Sequence, residues 1–426
     1  HIIRNKHISS LIQMEYSAFE EATVPICTFV LQNSRTAGKG KYIKLSDFAG
    51  GMEIQRVKTL EAIQDPECGY YYKTKQGNFE KIPGMPIAYW ASPNLIKAFE
   101  NGKPMNSIVE PRQGLATANN DRFLRLWYET DVNKISFKSD SIDDSVESGA
   151  KWFPYNKGGA RRQWYGNYDY VVNWEHDGFE IRNFKNDEGK LRSRPQNANY
   201  YFREAITWSL ITSGGFSIRY REAGSIHDVA GMSVFLNSHN TLIYILGLMS
   251  TKIANYIFKI LNPTINLQIG DFNNFTVLYV SDKRIFEFVE KNITIAERDW
   301  NSFETSWDFK IHPLLSSQQL GVSDELVDSA QKLVASDQEL TDRKKLTTDH
   351  YPLTTNHYPL PANYYPLNTK IEQAYEQYKN FTNTQFNQLK SNEEELNRIF
   401  IKIYGLEDEL TPEVSDKDIT ITKIFD

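Results

Sequence analysis

The residues best suited to chemistry lie in one stretch, "KWFPYNKGGARRQWYGNYDYVVNWEHDG" at residues 151–178. Three tryptophans and four tyrosines stand there beside the cations Lys151, Lys157, Arg161 and Arg162. Such cations bind phosphates, while aromatic rings stack on bases or brace the cations. Residues 151–222 hold 12 Lys and Arg against eight Asp and Glu, a local +4 in a chain of net charge −6. This window indicates a nucleic-acid surface; the alternative is an aromatic core with solvated basic edges.

Most of these rings must be core, because unpaired exposed tryptophan is rare. We expect Trp174 and Trp208 to be buried. The turn at residues 158–162 is the best local candidate for DNA contact, with Lys157, Arg161 and Arg162 as its cations. Four more arginines are secondary candidates, with a solvated surface as the alternative for each: Arg192, Arg194, Arg219 and Arg221.

A second binding pattern is "PRQGLATANNDRFLRLWYE" at residues 111–129. Short amides, a hydroxyl and a glycine let a backbone approach a phosphate, and Gln, Asn and Arg side chains can bond base edges. The alternative is a polar turn before a strand. The candidate DNA-binding residues here are Arg112, Gln113, Thr117, Asn119 and Asn120.

Several catalytic signatures are absent from the sequence. There is no Gly-x-Gly-x-x-Gly after a strand, no Walker loop, no Gly-x-Ser-x-Gly elbow and no metal-type His/Cys spacing. Glu175, Asp177 and Glu180 near Lys185 are similar to a nuclease carboxylate cluster, but carboxylates beside a strand are usually solvated. We therefore predict no catalytic residue, no metal and no bound cofactor in this chain.

Composition sets the class of protein. Apolar residues make up 40% of 426 residues, which allows two or three domains with real cores. Cys27 and Cys68 form no disulfide framework, which fits a reducing cytoplasm. The longest apolar run, residues 241–261, carries Lys252 and Lys259, so it predicts a buried helix and no membrane partner.

The predicted elements give an α+β (mixed α/β) chain of short strands and packed helices. Residues 1–33 read as a short helix, then the strands "ISSLIQM" and "VPICTFVLQN", the second buried on both faces. Further strands are "KYIKLSD", "YYYKTKQGNFEKI" and "TVLYVSD". Helices are predicted at 92–102, capped by Ser92 and ended by Gly102, and at 197–212, 238–261 and 322–340.

The C-terminal region begins with a tandem repeat. Residues 349–369 hold three units with Tyr-Pro-Leu, which indicate a semi-extended spacer, since the proline spacing forbids a helix. Residues 370–406 predict a long amphipathic helix ended by Gly405, followed by an acidic tail with a final short strand. A start at "HIIRNKHISSLI" suggests a piece of a longer polypeptide.

The chain resembles the PglX-type adenine-specific DNA methyltransferases of BREX phage-defence systems, which are related to type IIG restriction-modification enzymes with a fused target-recognition domain. The resemblance lies in both stretches quoted above and in four others: "IPGMPIAYWAS", "LNPTINLQIGDFNNFTV", "DWNSFETSWDFKIHPLL" and "EEELNRIFIKIYGLEDELTPEV". It implies that residues 1–33 end a Rossmann-like methyltransferase domain, that residues 34–320 form the target-recognition domain, and that residues 321–426 form a C-terminal helical region.

The resemblance also implies that DNA recognition and methyl transfer lie on different parts of the polypeptide. The S-adenosylmethionine loop and the Asn-Pro-Pro-Tyr motif that bonds the flipped adenine are absent here, so the methyl donor would bind on polypeptide outside this chain. The expected partners are double-stranded DNA, that missing methyltransferase domain and other defence-complex subunits. Recognition of DNA is the main hypothesis. The alternatives are a protein-interaction module, or a nuclease that uses Asp177 and Glu180.

Overall fold

The structure is a computed structural model that describes residues 1–16, 18, 24–210, 215–236, 238–262, 264, 266–315 and 371–424. Within these residues, short strands in several small sheets are mixed with packed helices, which confirms the predicted α+β class. The helices are α1 Ile2–Asn5, α2 Gly51–Gln64, α3 Pro93–Asn101, α4 Asn120–Phe123, α5 Ile142–Glu147, α6 Glu175–Arg182, α7 His239–Met249, α8 Lys252–Leu261, α9 Ile269–Asn273, α10 Lys283–Trp300 and α11 Ile371–Tyr404.

The strands are short, and many have only two to five residues. They are β1 His7–Gln13, β2 Cys27–Gln32, β3 Lys39–Lys44, β4 Tyr71–Lys75, β5 Lys103–Pro104, β6 Glu110–Arg112, β7 Leu115–Ala116, β8 Leu124–Leu126, β9 Trp152–Asn156, β10 Tyr170–Asn173, β11 Arg194–Pro195, β12 Ala205–Ser209, β13 Ile218–Arg221, β14 Ile226–His227, β15 Gly231–Phe235 and β16 Thr276–Val277.

The first sheet has the order β2-β1-β3-β4. β1 pairs antiparallel with β2 and parallel with β3, so Leu11 lies between Phe29 and Tyr42. Helix α2 packs on this sheet through Ala62 against Ile43 and Leu45. The sheet therefore joins residues on both sides of the domain boundary predicted at residue 33, and that division of the chain stays a prediction.

Two further four-stranded sheets carry the middle of the chain, in the orders β14-β9-β10-β8 and β13-β12-β15-β6. The β12 sheet packs against α7, α8, α10 and α11 in the largest core, where the Trp208 ring stacks on Phe272 at 4.5 Å. The β9–β10 sheet packs on a second core around Phe153, Trp174 and Phe202. Two short ribbons, β5–β16 and β7–β11, complete the pairing among the described residues.

Helix α3 forms where local signals predict it. The Ser92 hydroxyl accepts a hydrogen bond from the Leu95 amide at 3.1 Å, and Pro93 occupies the first turn. The helix ends before Gly102, where a β-carbon would come within 2.1 Å of the Thr276 hydroxyl oxygen. Both predicted ends are therefore confirmed, and the second also depends on a close tertiary contact.

Helix α11 confirms the predicted long C-terminal helix. It ends at Gly405, whose φ of +66° lies in the left-handed region that favours glycine. Along its length α11 meets several layers of the fold. The Trp164 indole donates to Glu393 Oε1 at 2.7 Å, the Asn392 amide donates to Asn292 at 2.8 Å, and the Asn94 amide donates to the Gly405 carbonyl at 2.7 Å.

The helix predicted at residues 197–212 is wrong. The structure has a 3-10 turn at Ala198–Tyr200 and then strand β12, whose five side chains are all buried between β13 and β15. A strand that is buried on both faces lacks the alternating pattern that would distinguish it from a helix.

The single helix predicted at residues 238–261 is two helices, α7 and α8, bent by 76°. Side chains from distant elements form hydrogen bonds with the backbone groups that the break leaves free. The Gln163 amide donates to the Ser250 carbonyl at 3.2 Å, and the Lys252 backbone amide donates to Asn397 at 2.8 Å. No single helix in the described part of the chain is long and apolar enough to cross a membrane, and this bent pair meets that test only when it is taken together.

Three smaller predictions also need correction. The strand "TVLYVSD" is only Thr276–Val277. β2 is exposed along its whole length and not buried on both faces. The tail forms no strand through residue 424, because Thr420 and Thr422 bond to Gln163 and Asp299 instead. The helix predicted at 322–340 and the Tyr-Pro-Leu repeat at 349–369 lie outside the described residues.

Candidate nucleic-acid interface

The aromatic rings of residues 151–178 are mostly core, as predicted. Trp164 and Trp174 are fully buried, and so is Trp208 further along the chain. Trp174 packs edge-on against Tyr201 at 5.3 Å and lies under the Arg182 guanidinium at 4.8 Å. This segment therefore builds the fold, and its rings do not form an exposed stacking surface.

Arg161 and Arg162, the predicted DNA contacts of this turn, both bind the protein itself. Arg161 donates to the Asp418 carbonyl at 2.9 Å in the C-terminal segment. Arg162 lies 3.5 Å from Asp299 and stacks over the Trp300 ring at 4.8 Å. The turn that carries them thus fastens the C-terminal helices to the middle of the chain.

Arg219 and Arg221 were predicted as secondary DNA contacts, but the structure buries both. Their side chains are 0% and 1% exposed, so a duplex cannot reach them. Burial, together with the neighbouring Arg221 and Arg162, lowers the pKa of Arg219 to about 10. Burial likewise lowers the pKa of Arg221, whose guanidinium lies 3.8 Å from the Tyr168 ring centroid. Both arginines are buried residues of β13 itself.

Lys157 occupies an intermediate position. Its ammonium lies over the Tyr170 ring at 4.4 Å, and the side chain is half-buried. Its backbone amide bonds the Tyr155 carbonyl at 3.0 Å, close to the end of β9. Lys157 is therefore held against the β9–β10 sheet.

The other candidates come together at the ribbon β7–β11. Arg194 pairs with Ala116, and Pro195 pairs with Leu115, in antiparallel register. Beyond the ribbon, the Asn197 amide donates to the Gln113 carbonyl at 2.8 Å, and the Gln196 amide bonds the Gly114 carbonyl at 3.4 Å. Two segments some 80 residues apart in sequence are therefore bonded side by side.

Residues 112–120, which we call the amide loop, include the first of these segments. Asn119 caps α4 by accepting from the Arg122 amide at 3.0 Å, and the Thr117 hydroxyl donates to Asn120 at 2.5 Å. Thr117 is buried, while Asn120 is exposed and Gln113 is partly exposed. Thr117 and Asn119 thus shape the loop, and Gln113 and Asn120 present amides at its surface.

Gly114 lets the amide loop approach the strand beneath it. A β-carbon at this position would lie 1.7 Å from the His227 carbonyl oxygen, so only glycine fits. The His227 ring is buried, and burial lowers its pKa to about 3, which keeps the imidazole neutral. The base of the loop is therefore close-packed against a neutral imidazole.

Arg112 lies at the start of the amide loop but is already paired. Its guanidinium donates to Glu110 at 2.8 Å and to the Tyr200 hydroxyl at 3.0 Å, and it stacks over the Tyr200 ring at 4.8 Å. Tyr200 in turn donates to Glu110. This partly exposed network orients Arg112 at the edge of the loop.

Arg192 and Arg194 are exposed in the second segment. They flank Ser193, whose buried hydroxyl donates to the Ile181 carbonyl, so both arginines point away from the core. Arg192 stacks on Phe184 at 5.5 Å. Arg194 makes no ion pair and no side-chain hydrogen bond with residues that the structure describes.

Arg122 lies near Arg192, although the sequence analysis did not name it as a candidate. Its guanidinium lies 5.1 Å from the Phe184 ring, on which Arg192 also stacks, and 2.7 Å from Glu180. The pattern of charges along the sequence could not bring residue 122 next to residue 192. We call Arg122, Arg192 and Arg194 the basic face, and the amide loop with the basic face the recognition surface.

The three carboxylates of the possible nuclease cluster separate. Glu175 lies 3.8 Å from Lys151, Asp177 lies 3.1 Å from Arg182, and Glu180 is held by Arg122 and by the Asn173 amide at 2.8 Å. No three His, Cys, Asp or Glu side chains in the described ranges form a group that could hold a metal ion. Each of these carboxylates therefore has its own cationic partner.

No protein-family model matches the chain. The adenine-specific methyltransferase PglX of Lacticaseibacillus casei (strain Zhang) is 37% identical over 422 residues, which cover 98% of this chain and 31% of that relative. The adenine-specific methyltransferase BrxX of Escherichia coli O9:H4 (strain HS) is 37% identical over 248 residues, which cover 58% of this chain and 19% of that relative. The chain thus spans less than a third of the length of either curated relative.

Two solved structures are also similar. The Type IIL restriction-modification enzyme MmeI in complex with DNA matches with a TM-score of 0.38 at 11% identity, over 81% of this chain and 44% of that one. The type IIG restriction endonuclease BpuSI matches with a TM-score of 0.29 at 11% identity, over 68% and 39% of the two chains. On the identity to the curated relatives, this chain resembles, along nearly its whole length, part of the PglX-type adenine-specific methyltransferases, which confirms the family resemblance predicted from its residues.

Proposed function

We propose that this chain recognises duplex DNA for a longer adenine-specific methyltransferase, and that it does so with the recognition surface. One observation carries the proposal: the β7–β11 ribbon joins the amide loop, which carries Gln113 and Asn120, to the segment that carries the exposed Arg192 and Arg194. Amides bond base edges and guanidinium groups bond phosphates, so one surface holds both of the contacts that sequence recognition requires.

The two halves of the surface have different roles. Arg192 and Arg194 bind phosphates and set the register, because their side chains are exposed and the strand that carries Arg194 is fixed by pairing with β7. Gln113 and Asn120 bond base edges, since amides match the donor and acceptor pattern of adenine in the major groove. A narrow two-stranded ribbon is one of the elements that fit this groove.

Methyl transfer is assigned to polypeptide outside this chain. The sequence has neither the S-adenosylmethionine loop nor the Asn-Pro-Pro-Tyr motif. We therefore expect no turnover when the isolated chain is incubated with duplex DNA and radiolabelled S-adenosylmethionine. Turnover above the level of a protein-free control would contradict this assignment.

DNA binding is tested by titrating a fluorescent duplex of random sequence with the chain at several salt concentrations. Each phosphate contact adds about 0.9 to the slope of log affinity against log salt. We expect Arg192→Ala with Arg194→Ala to weaken binding and to lower the slope by roughly two. Arg398→Ala is the matched control, because that exposed arginine pairs with Glu395 on α11, away from the ribbon.

Sequence reading needs a separate measurement. Selection of preferred sites from a random duplex pool should give a motif with the wild-type chain, and Gln113→Ala should relax one position of that motif while leaving the salt slope unchanged. If the double arginine variant binds with wild-type affinity and slope, the recognition surface is wrong. If the wild-type chain does not bind duplex DNA at all, the protein-interaction alternative replaces this proposal.

A further inference from the structure

Near the start of α6, three consecutive residues have left-handed backbone. His176, Asp177 and Gly178 have φ values of +51°, +56° and +68°. Only glycine adopts this conformation without strain, so the fold holds His176 and Asp177 in it at a cost in free energy. Backbone strain of this kind persists only where the surrounding structure enforces it, and it clusters at binding and active sites. The turn is therefore a candidate part of a binding site.

Contacts with the second core hold this turn rigid. A β-carbon at Gly178 would lie 2.6 Å from the buried Trp174 ring, so the turn packs directly on that ring. The Arg182 guanidinium stacks over the same ring at 4.8 Å. It also donates to the Asp177 carbonyl at 2.7 Å and to the Asp177 carboxylate at 3.1 Å. The backbone that leaves the turn is therefore fixed.

Phe179 follows the turn directly, and its ring is open to solvent. The residue is 68% exposed, more than any other large apolar residue in the part of the chain that the structure describes. Single exposed apolar residues are common on protein surfaces. This one, however, is carried by a strained turn that the core holds in place. Its exposure is therefore fixed by the fold.

The basic face lies beside this ring. The next residue, Glu180, bonds Arg122 of the basic face at 2.7 Å. Helix α6 also lies against β11, the ribbon strand that carries Arg194. The Ser193 hydroxyl joins the two elements by donating to the Ile181 carbonyl. One helix therefore carries the exposed ring and contacts the elements that carry the exposed cations.

The charge around the ring favours an anionic partner. The three carboxylates close to it, at residues 175, 177 and 180, each have the cationic partner given above. Arg192 and Arg194 are exposed and make no ion pair with any residue that the structure describes. Nucleic acid offers phosphates for such cations and flat apolar base faces for the ring. A purely apolar protein surface would match the ring and leave the cations unpaired.

We propose that Phe179 inserts its ring between two neighbouring base pairs of the duplex that the recognition surface binds, an inference that rests on the proposed function. Phenylalanine is one of the apolar side chains that partly unstack a base step and kink the duplex. A ring on a fixed turn loses little conformational freedom when it inserts. Because base steps differ in how easily they unstack, the ring also contributes to the choice of sequence without bonding a base edge.

The test uses duplexes that carry the site selected by the wild-type chain, each with one nick, and the nick moves by one base step from duplex to duplex. A nick lowers the cost of unstacking at its own step, so the wild-type chain should bind one of these duplexes about tenfold more tightly than the intact duplex. Phe179→Ala should lose this gain and keep the salt slope, because it removes a ring and no cation. Phe179→Leu should keep part of the gain, because leucine also unstacks base steps.

Two controls separate this effect from a loss of folding. The urea unfolding midpoint of Phe179→Ala should stay close to that of the wild type, because the side chain is already exposed. Tyr279→Ala removes a ring that is 63% exposed in the loop after β16, and it should keep the wild-type gain.

The result separates this inference from the proposed function. If Phe179→Ala and the wild type show the same ratio of nicked to intact affinity at every step, the inference is overturned, and the ring belongs to a protein contact. If the wild-type chain binds no duplex, the proposed function fails and this inference fails with it.

Discussion

The buried carboxyl group of Glu393 makes the stability of the protein depend on pH. Glu393 lies on α11 in the largest core and accepts the Trp164 indole hydrogen at 2.7 Å. Burial raises the pKa of this carboxyl from 4.5 to about 7, against the smaller opposing effect of the indole hydrogen bond. The folded state therefore holds a proton that the unfolded state has lost between these two pH values.

The sign and size of the effect follow from this shift. Because the folded state binds more protons, its stability falls as pH rises from about 4.5 to 7 and stays lower above that. One pKa unit corresponds to about 1.4 kcal/mol, so the free energy of unfolding should fall by roughly 2 kcal/mol between pH 5.5 and pH 8 on account of Glu393 alone. Glu393→Gln keeps an oxygen that accepts the indole hydrogen, and it removes the titration.

The assay is urea unfolding followed by tryptophan fluorescence at pH 5.5 and pH 8, for the wild type and for Glu393→Gln. Burial also raises the pKa of Glu297 to about 7, but this residue is present in both proteins and cancels in their difference. The stability of the variant relative to the wild type should therefore increase by about 2 kcal/mol at the higher pH. Glu395→Gln, at a partly exposed position on the same helix, is the matched control. Parallel pH dependences of the wild type and Glu393→Gln would refute the reasoning.

Three further predictions follow from packing. Trp174→Ala should lower the free energy of unfolding by about 3–5 kcal/mol, because the ring is fully buried, and a wild-type urea curve would show that the ring is dispensable. Gly114→Ala should cost about 2 kcal/mol or more and weaken duplex binding, because its methyl group would collide with the His227 carbonyl, while Gly270→Ala, a helical position that meets open space, should lower neither the stability nor the affinity. Arg161→Ala should cost about 1 kcal/mol in unfolding and leave the duplex affinity unchanged, since it removes a hydrogen bond within the protein, and an affinity loss of tenfold would return this side chain to the interface.

The sequence predicted those helix ends that depend on capping residues close by in the chain. Ser92 and Pro93 define the start of α3, and Gly405 defines the end of α11, because caps and left-handed positions depend on neighbouring residues. The strand β12 and the bend between α7 and α8 could not be predicted, because distant elements determine both. Neighbouring strands bury β12, and Gln163 and Asn397 satisfy the break before α8.

In the candidate site, too, the sequence could not predict features that depend on distant residues. The amide loop and the exposed Arg192 and Arg194 were recognisable from residue types. The burial of Arg219 and Arg221 was not, because a cation has the same sequence signature at a surface and in a buried strand. The position of Arg122 beside Arg192 depends on the shared Phe184 ring, a contact that only the folded chain contains.

The contacts of α11 determine when this protein can finish folding during its synthesis. The bond between Asn94 and Gly405 joins residues 311 positions apart, and the bond between Trp164 and Glu393 joins residues 229 apart. The largest core therefore stays open on the ribosome until α11 has emerged, and such late closure makes folding slow. A truncated messenger RNA that ends before α11 would yield a product without Phe400 and its neighbours. The side of the core that they cover would then be exposed, so chaperones and proteases would bind this product.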